Sequence, residues 1–239
     1  MPQRRVTSAL HRAGLCAWLV AQSAAAQSPG TGAILERLQA ERRTVLAYLA
    51  RDNADLALTA LDRWRARLRS EGRTLTAAAD STALRPILDA LDAALTEATQ
   101  ALEGGDGARA AGIVETALAP LDAWRRSGGL RLFSDCVTDL SGRYGALDRY
   151  RHAAPDLEDA AVRTRIGTAA ADALAAVNRC DAEAGASIRS DPEFRRLADG
   201  MSASLGKVPT ALDSRDPGLL HRLLIELRAF ERLLAFRYG

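Results

Sequence analysis

Cys136 and Cys180 are the first residues here whose type and spacing suggest chemistry. Their midpoint is residue 158, inside the turn-rich stretch from His152 to Asp159. Both fall on the apolar stripes of the helical segments that flank it. In an antiparallel helical hairpin, residues equidistant from the turn face each other. A disulfide between Cys136 and Cys180 is therefore expected, with two separate buried thiols as the alternative. Closing a loop of this length would stabilise the fold by roughly 4 kcal/mol on the chain-entropy account.

The other reactive side chains point to less. His152 sits near a turn and His221 in a first helical turn, and neither has a Cys or His at ligand spacing. No metal site is expected from them. Asp156, Glu158 and Asp159 form a carboxylate cluster at a helix start, where negative charge favours the helix dipole, so capping is the expected role. Arg63, Arg65, Arg67, Arg69 and Arg73 surround Trp64. Such a run could bind an anionic surface or stack on a ligand. It also reads as a solvated helix face whose arginine stems cover apolar surface. There is no Gly-x-Ser-x-Gly, no His-Glu-x-x-His and no phosphate loop. No catalytic residue, cofactor-binding residue or metal ligand is assigned. A bundle can still gather distant acids into a site, and two or more converging buried carboxylates would be its sign.

The elements that must carry these residues are helices almost throughout. Leu35, Leu38, Val45 and Leu49 mark a first helix, and Ala57, Leu61, Trp64 and Leu68 a second, with a turn at Asp52-Asn53. Gly72 to Ser81 reads as a looser connection. Leu84, Leu88, Leu91, Leu95, Ala98 and Leu102 form a third stripe, Gly104-Gly105-Asp106 a turn, and Ala110, Ile113, Ala117, Leu121 and Trp124 a fourth. Pro120 should kink or break that fourth helix, and Pro209 should do the same further on. Ser127-Gly128-Gly129 reads as a linker between a first half, residues 27–127, and a second, residues 130–239. The second half has stripes through Phe133 to Leu147 and Ile166 to Cys180, then the hairpin from Pro192 to Tyr238, which turns at Arg215-Asp216-Pro217. Setting Asp106 against Asp216 places Leu102 on Leu212, Leu95 on Leu205, Leu91 on Met201 and Ile113 on Leu223, which suggests an internal repeat. Strand signals are absent. The expected fold class is all-α, with about eight amphipathic helices in one or two up-and-down helical bundles.

Residues 1–26 read as a secretory signal peptide. Arg4, Arg5 and Arg12 give a basic start, Ala13 to Val20 an apolar run, and Ala24-Ala25-Ala26 the small residues before cleavage. Cys16 follows Leu15, where lipid attachment would want a small residue, and it leaves with the signal. Removing this segment leaves 29 basic and 30 acidic residues, so no strong pull toward nucleic acid or an anionic membrane remains. No transmembrane segment is expected in the mature chain. Periplasmic or secreted localisation follows, and it places the two cysteines in an oxidising compartment.

The Phe194 to Leu212 stripe, the tight Arg215-Asp216 turn and the Phe236-Arg237-Tyr238 ending resemble the last helices of small periplasmic four-helix cytochromes, the cytochrome c-prime group. That group carries a Cys-x-x-Cys-His haem attachment before an aromatic-Arg ending. Here Ala229, Arg232 and Leu233 occupy the corresponding places. The resemblance implies a four-helix architecture without haem, and electron transfer is not carried over. The expected function is a non-enzymatic ligand-binding or protein-interaction module with an unidentified protein or small-molecule partner. The rival is a haem- or metal-binding bundle with unrecognised ligands.

Overall fold

The computed structural model describes residues 29–79, 82–152 and 155–239. The expected signal peptide lies outside the described residues, as do Ser81 and Ala154. The described residues form α-helices and no strands: α1 (Pro29–Leu49), α2 (Ala54–Ala79), α3 (Leu84–Glu103), α4 (Gly107–Thr116), α5 (Ala119–Ser127), α6 (Phe133–Asp148), α7 (Ala160–Glu183), α8 (Ala186–Arg189), α9 (Pro192–Asp213) and α10 (Pro217–Tyr238). A 3-10 turn, Arg149–Arg151, extends α6.

The helices close two rings. In the first, α1 packs on α2, α2 on α3, α3 on α4 and α4 back on α1. In the second, α6 packs on α7, α7 on α9, α9 on α10 and α10 back on α6. Each ring encloses its own cluster of buried residues, Ile34 to Leu132 in one and Cys136 to Leu234 in the other. Apolar positions recur every three or four residues, so each helix turns one stripe inward and the rest toward water.

Three hairpin turns share one hydrogen-bond pattern. The N–H groups of Asn53, Asp106 and Asp216 each donate five residues back, to Tyr48, Ala101 and Ala211. The residue before each takes positive φ: Asp52 (53°), Gly105 (81°) and Arg215 (50°). The Asn or Asp side chain then caps the next helix, accepting from the N–H of Leu56, Arg109 or Leu219. The α3–α4 and α9–α10 hairpins match further. Leu91, Leu95, Ala98, Leu102, Ala110 and Val114 are buried, as are Met201, Leu205, Val208, Leu212, Leu220 and Leu224 at the same register. The match stops at Pro120. There the chain breaks between α4 and α5, with Pro120 in the first turn of α5, whereas α10 runs on unbroken. Phe230, in the register of Pro120, lies over Gly200, where a Cβ would sit 2.6 Å from its ring.

Two expectations are corrected. Gly72 does not loosen the chain: α2 continues through it to Ala79. Gly72 is buried, and a Cβ there would touch Leu88 at 3.4 Å, so its small size lets α3 approach α2. Pro209 does not interrupt α9, which is assigned without a break from Pro192 to Asp213. It lies on the exposed face, where water can serve the carbonyl it leaves without a donor.

Cys136 on α6 and Cys180 on α7 are joined in a disulfide, with their Cα atoms 5.5 Å apart. The bond therefore staples two neighbouring helices of the second ring only. The passage between rings is held by Arg125, which is only 3% exposed. Its guanidinium donates to both carboxylate oxygens of Asp135 at 2.6 Å, to Asp122 at 2.7 Å and to the Leu130 carbonyl at 3.2 Å. Asp135 also accepts from the Leu132 N–H at 2.8 Å. Burial alone would raise the Asp135 carboxyl, but Arg125 and the Leu132 N–H outweigh it and hold it below the usual carboxylate range.

Helix α1, a member of the first ring, also reaches the second. Glu36 accepts from the Ser134 N–H at the start of α6 (3.1 Å). One heptad later Arg43 donates to the carbonyls of Phe236 and Arg237 at 3.1 Å, and to that of Gly239, at the end of α10. A carboxylate thus meets the positive end of one helix dipole and a guanidinium the negative end of another. Burial pulls Arg43 down to about 10, which leaves it charged at neutral pH.

Four outcomes are expected. Arg125→Met strands Asp135 and Asp122 and should lower stability by about 3 kcal/mol in urea unfolding. Because the folded-state pKa of Asp135 is depressed, its contribution is present above the unfolded value of about 3.9 and is lost as pH falls through the folded value. Acid titration of stability should therefore be shallower in Asp135→Asn than in the wild type. Gly200→Ala should destabilise by about 1 kcal/mol through displacement of Phe230, and should reverse sign in a Phe230→Ala background, where helix propensity alone acts. Replacing both cysteines by serine should cost roughly 4 kcal/mol on the chain-entropy account, given the 44-residue separation, with the loss confined to the second ring in hydrogen exchange.

Candidate functional site

The arginine run around Trp64 divides into two groups. Arg63 and Arg67 turn toward α1, where both donate to the largely buried carboxylate of Glu41 at 2.8 and 3.0 Å. Arg67 also reaches Glu71, which is shared with Arg37. These side chains lace α1 to α2. Trp64 is fully buried, so it is not a surface on which a ligand could stack. Its indole N–H finds no acceptor among the described residues.

Arg69 and Arg73 turn the other way, toward α3. There they line a groove of about 220 Å³ with Arg85, Thr76, Asp89 and Asp92 over a floor of Leu68, Gly72 and Leu88. All three of these arginines are exposed. None makes an ion pair among the described residues, whereas Asp92 is met by Arg65 at 3.5 Å. Arg85 was not singled out by sequence. It lies twelve residues beyond Arg73 on a different helix, and only the straight continuation of α2 through Gly72 brings the two together.

A larger cavity, about 590 Å³, opens at the hairpin end of the first ring between α1 and α4. Leu46, Leu49 and Leu102 supply apolar wall, and Gly107, Ala108 and Ala111 supply space, since a small residue on α4 leaves a gap opposite α1. Asn53 and Glu115 provide polar rim. The second ring has a counterpart of about 280 Å³ between the end of α6 and the start of α10. Leu220 and Leu224 are among its lining residues, and His152 and His221 line it as well. The two histidines, 69 positions apart in sequence, thus share one pocket, which ligand spacing along the chain could not reveal.

The remaining candidates have structural partners. Asp159 caps α7 through the Ala161 N–H, Asp156 accepts from the Glu158 N–H, and Glu158 pairs with Arg215. The buried carboxylates Glu41 and Glu231 lie in different rings. Glu231 is met by Arg228 at 3.2 Å, as Glu41 is by Arg63 and Arg67. No two buried acids converge on a cavity among the described residues, nor does any group of three metal-binding side chains. Ala229, Arg232 and Leu233, the positions matched to the haem attachment motif, lie on the exposed face of α10. No described helix is long and apolar enough to cross a membrane. Comparison with known proteins finds no matching family model, and no significant match among curated proteins or solved structures.

Proposed function

We propose that the chain is an exported, non-enzymatic ligand-binding module of the periplasm. In this reading the cleft between α1 and α4 takes the apolar part of a ligand. The observation that carries it is the cleft itself. Its volume of about 590 Å³ falls in the range of small-molecule sites, and Leu46, Leu49 and Leu102 give it an apolar side, with Asp52, Asn53 and Glu115 as polar groups. The basic start, apolar run and Ala24-Ala25-Ala26 sequence support export, and a disulfide suits an oxidising compartment.

An uncharged fluorescent probe, N-phenyl-1-naphthylamine, tests the site without engaging the arginines. It should bind the mature chain, and Ala108→Leu with Ala111→Leu should abolish binding by filling the cleft while helicity is unchanged. Undiminished binding in the filled variant would sink the reading. Export has its own test: mass spectrometry of the periplasmic fraction should show a chain beginning at Gln27, and a cytoplasmic, uncut chain would oppose it.

One observation favours a metal-binding alternative, the shared pocket of His152 and His221. Two imidazoles fall short of the four ligands of a structural zinc site. Titration with zinc, compared between the wild type and His221→Ala, separates the readings.

A further inference from the structure

We infer that the groove between α2 and α3 is an anion site that takes a compact phosphate-type group carried on a short apolar stem. It shares no lining residue with the α1–α4 cleft, so the two can fail independently.

Three guanidinium groups from two helices line one small concavity. Arg69 and Arg73 are four residues apart on α2 and so share a face, and Arg85 comes from the first turn of α3. Each presents a planar fork of donors suited to phosphate or carboxylate oxygens. The nearby arginines Arg63, Arg65 and Arg67 are all taken up by carboxylates, whereas these three meet none among the described residues. Like charges gathered with no ion pair among the described residues repel one another, and a bound anion would reduce that repulsion.

The other lining residues narrow the ligand class. Asp92 is engaged by Arg65, which leaves Asp89 as the one lining carboxylate without an ion pair among the described residues. Three cations against one such acid favour a group that carries two negative charges. Leu68 and Leu88 give the floor an apolar strip, and Gly72 adds no side chain to fill it. A volume of about 220 Å³ gives room for a tetrahedral anion and a short stem.

Phenyl phosphate and vesicles of phosphatidic acid in phosphatidylcholine, both phosphomonoesters, are the probes. They present the same chemistry from a soluble ester and from a lipid headgroup. Calorimetry and co-sedimentation with the mature chain should show binding to at least one, weakened by added salt. Arg73→Met and Arg85→Met keep the apolar stems and should each weaken binding by about tenfold or more. Lys207→Met, which removes an exposed cation from α9 in the other ring, should leave it unchanged. Asp89→Asn should tighten it, and because this residue is exposed the variant keeps the question open to test even if an arginine variant folds poorly. Binding of phenyl phosphate would assign a soluble ester, and binding to vesicles alone a headgroup. Binding of neither probe, or equal losses in Arg73→Met and Lys207→Met, would overturn the assignment.

Discussion

A guanidinium almost without access to water sits where the chain passes from one ring of helices to the next. Arg125 could not be buried alone, because an unpaired charge taken out of water is strongly unfavourable. Its position is tolerable only because Asp122, Asp135 and the Leu130 carbonyl all lie at hydrogen-bond distance. That requirement fixes the path of residues 128–132 and the starting point of α6. The direction in which the second ring begins therefore follows from satisfying one buried cation.

From that knot outward the two rings repeat a single plan. Apolar stripes set which face of each helix turns inward, and the hairpin turns set the antiparallel order. The same arrangement of a positive-φ residue followed by a capping Asn or Asp ends one helix and begins the next at Asn53, Asp106 and Asp216. The rings differ where the chain departs from the plan. Pro120 breaks the fourth helix of the first ring, and a cavity of about 270 Å³ lined by Ala90, Leu91 and Pro120 lies at the register where Phe230 covers Gly200 in the second. Small residues on α4 leave the wide cleft beside α1, whereas larger ones on α10 leave a narrower pocket. Potential binding sites thus arise as local deficits of packing within a repeated frame.

Much of the fold was legible because helical periodicity and turn chemistry are local signals. The stripes, the Asp52-Asn53 turn and the break at Pro120 need only neighbouring residues to be read. The errors came where a tertiary neighbour decides. Gly72 looks like a breaker until Leu88 lies against it, and Pro209 looks like a kink until its place on the solvent face is known. The candidate sites were less legible still. The arginine run was visible, but its division between Glu41 on α1 and the groove with Arg85 on α3 depends on contacts between helices. That His152 and His221 line one pocket depends on the closure of α6 against α10.

Because Glu36 and Arg43 on α1 serve the ends of α6 and α10, the glycine-rich junction does not divide this chain into interchangeable cassettes. A rearrangement that carried off the second ring alone would leave two helix ends facing solvent where charged partners now stand. The repeated halves can diverge in sequence, but they are obliged to travel together, with their first helix as common property.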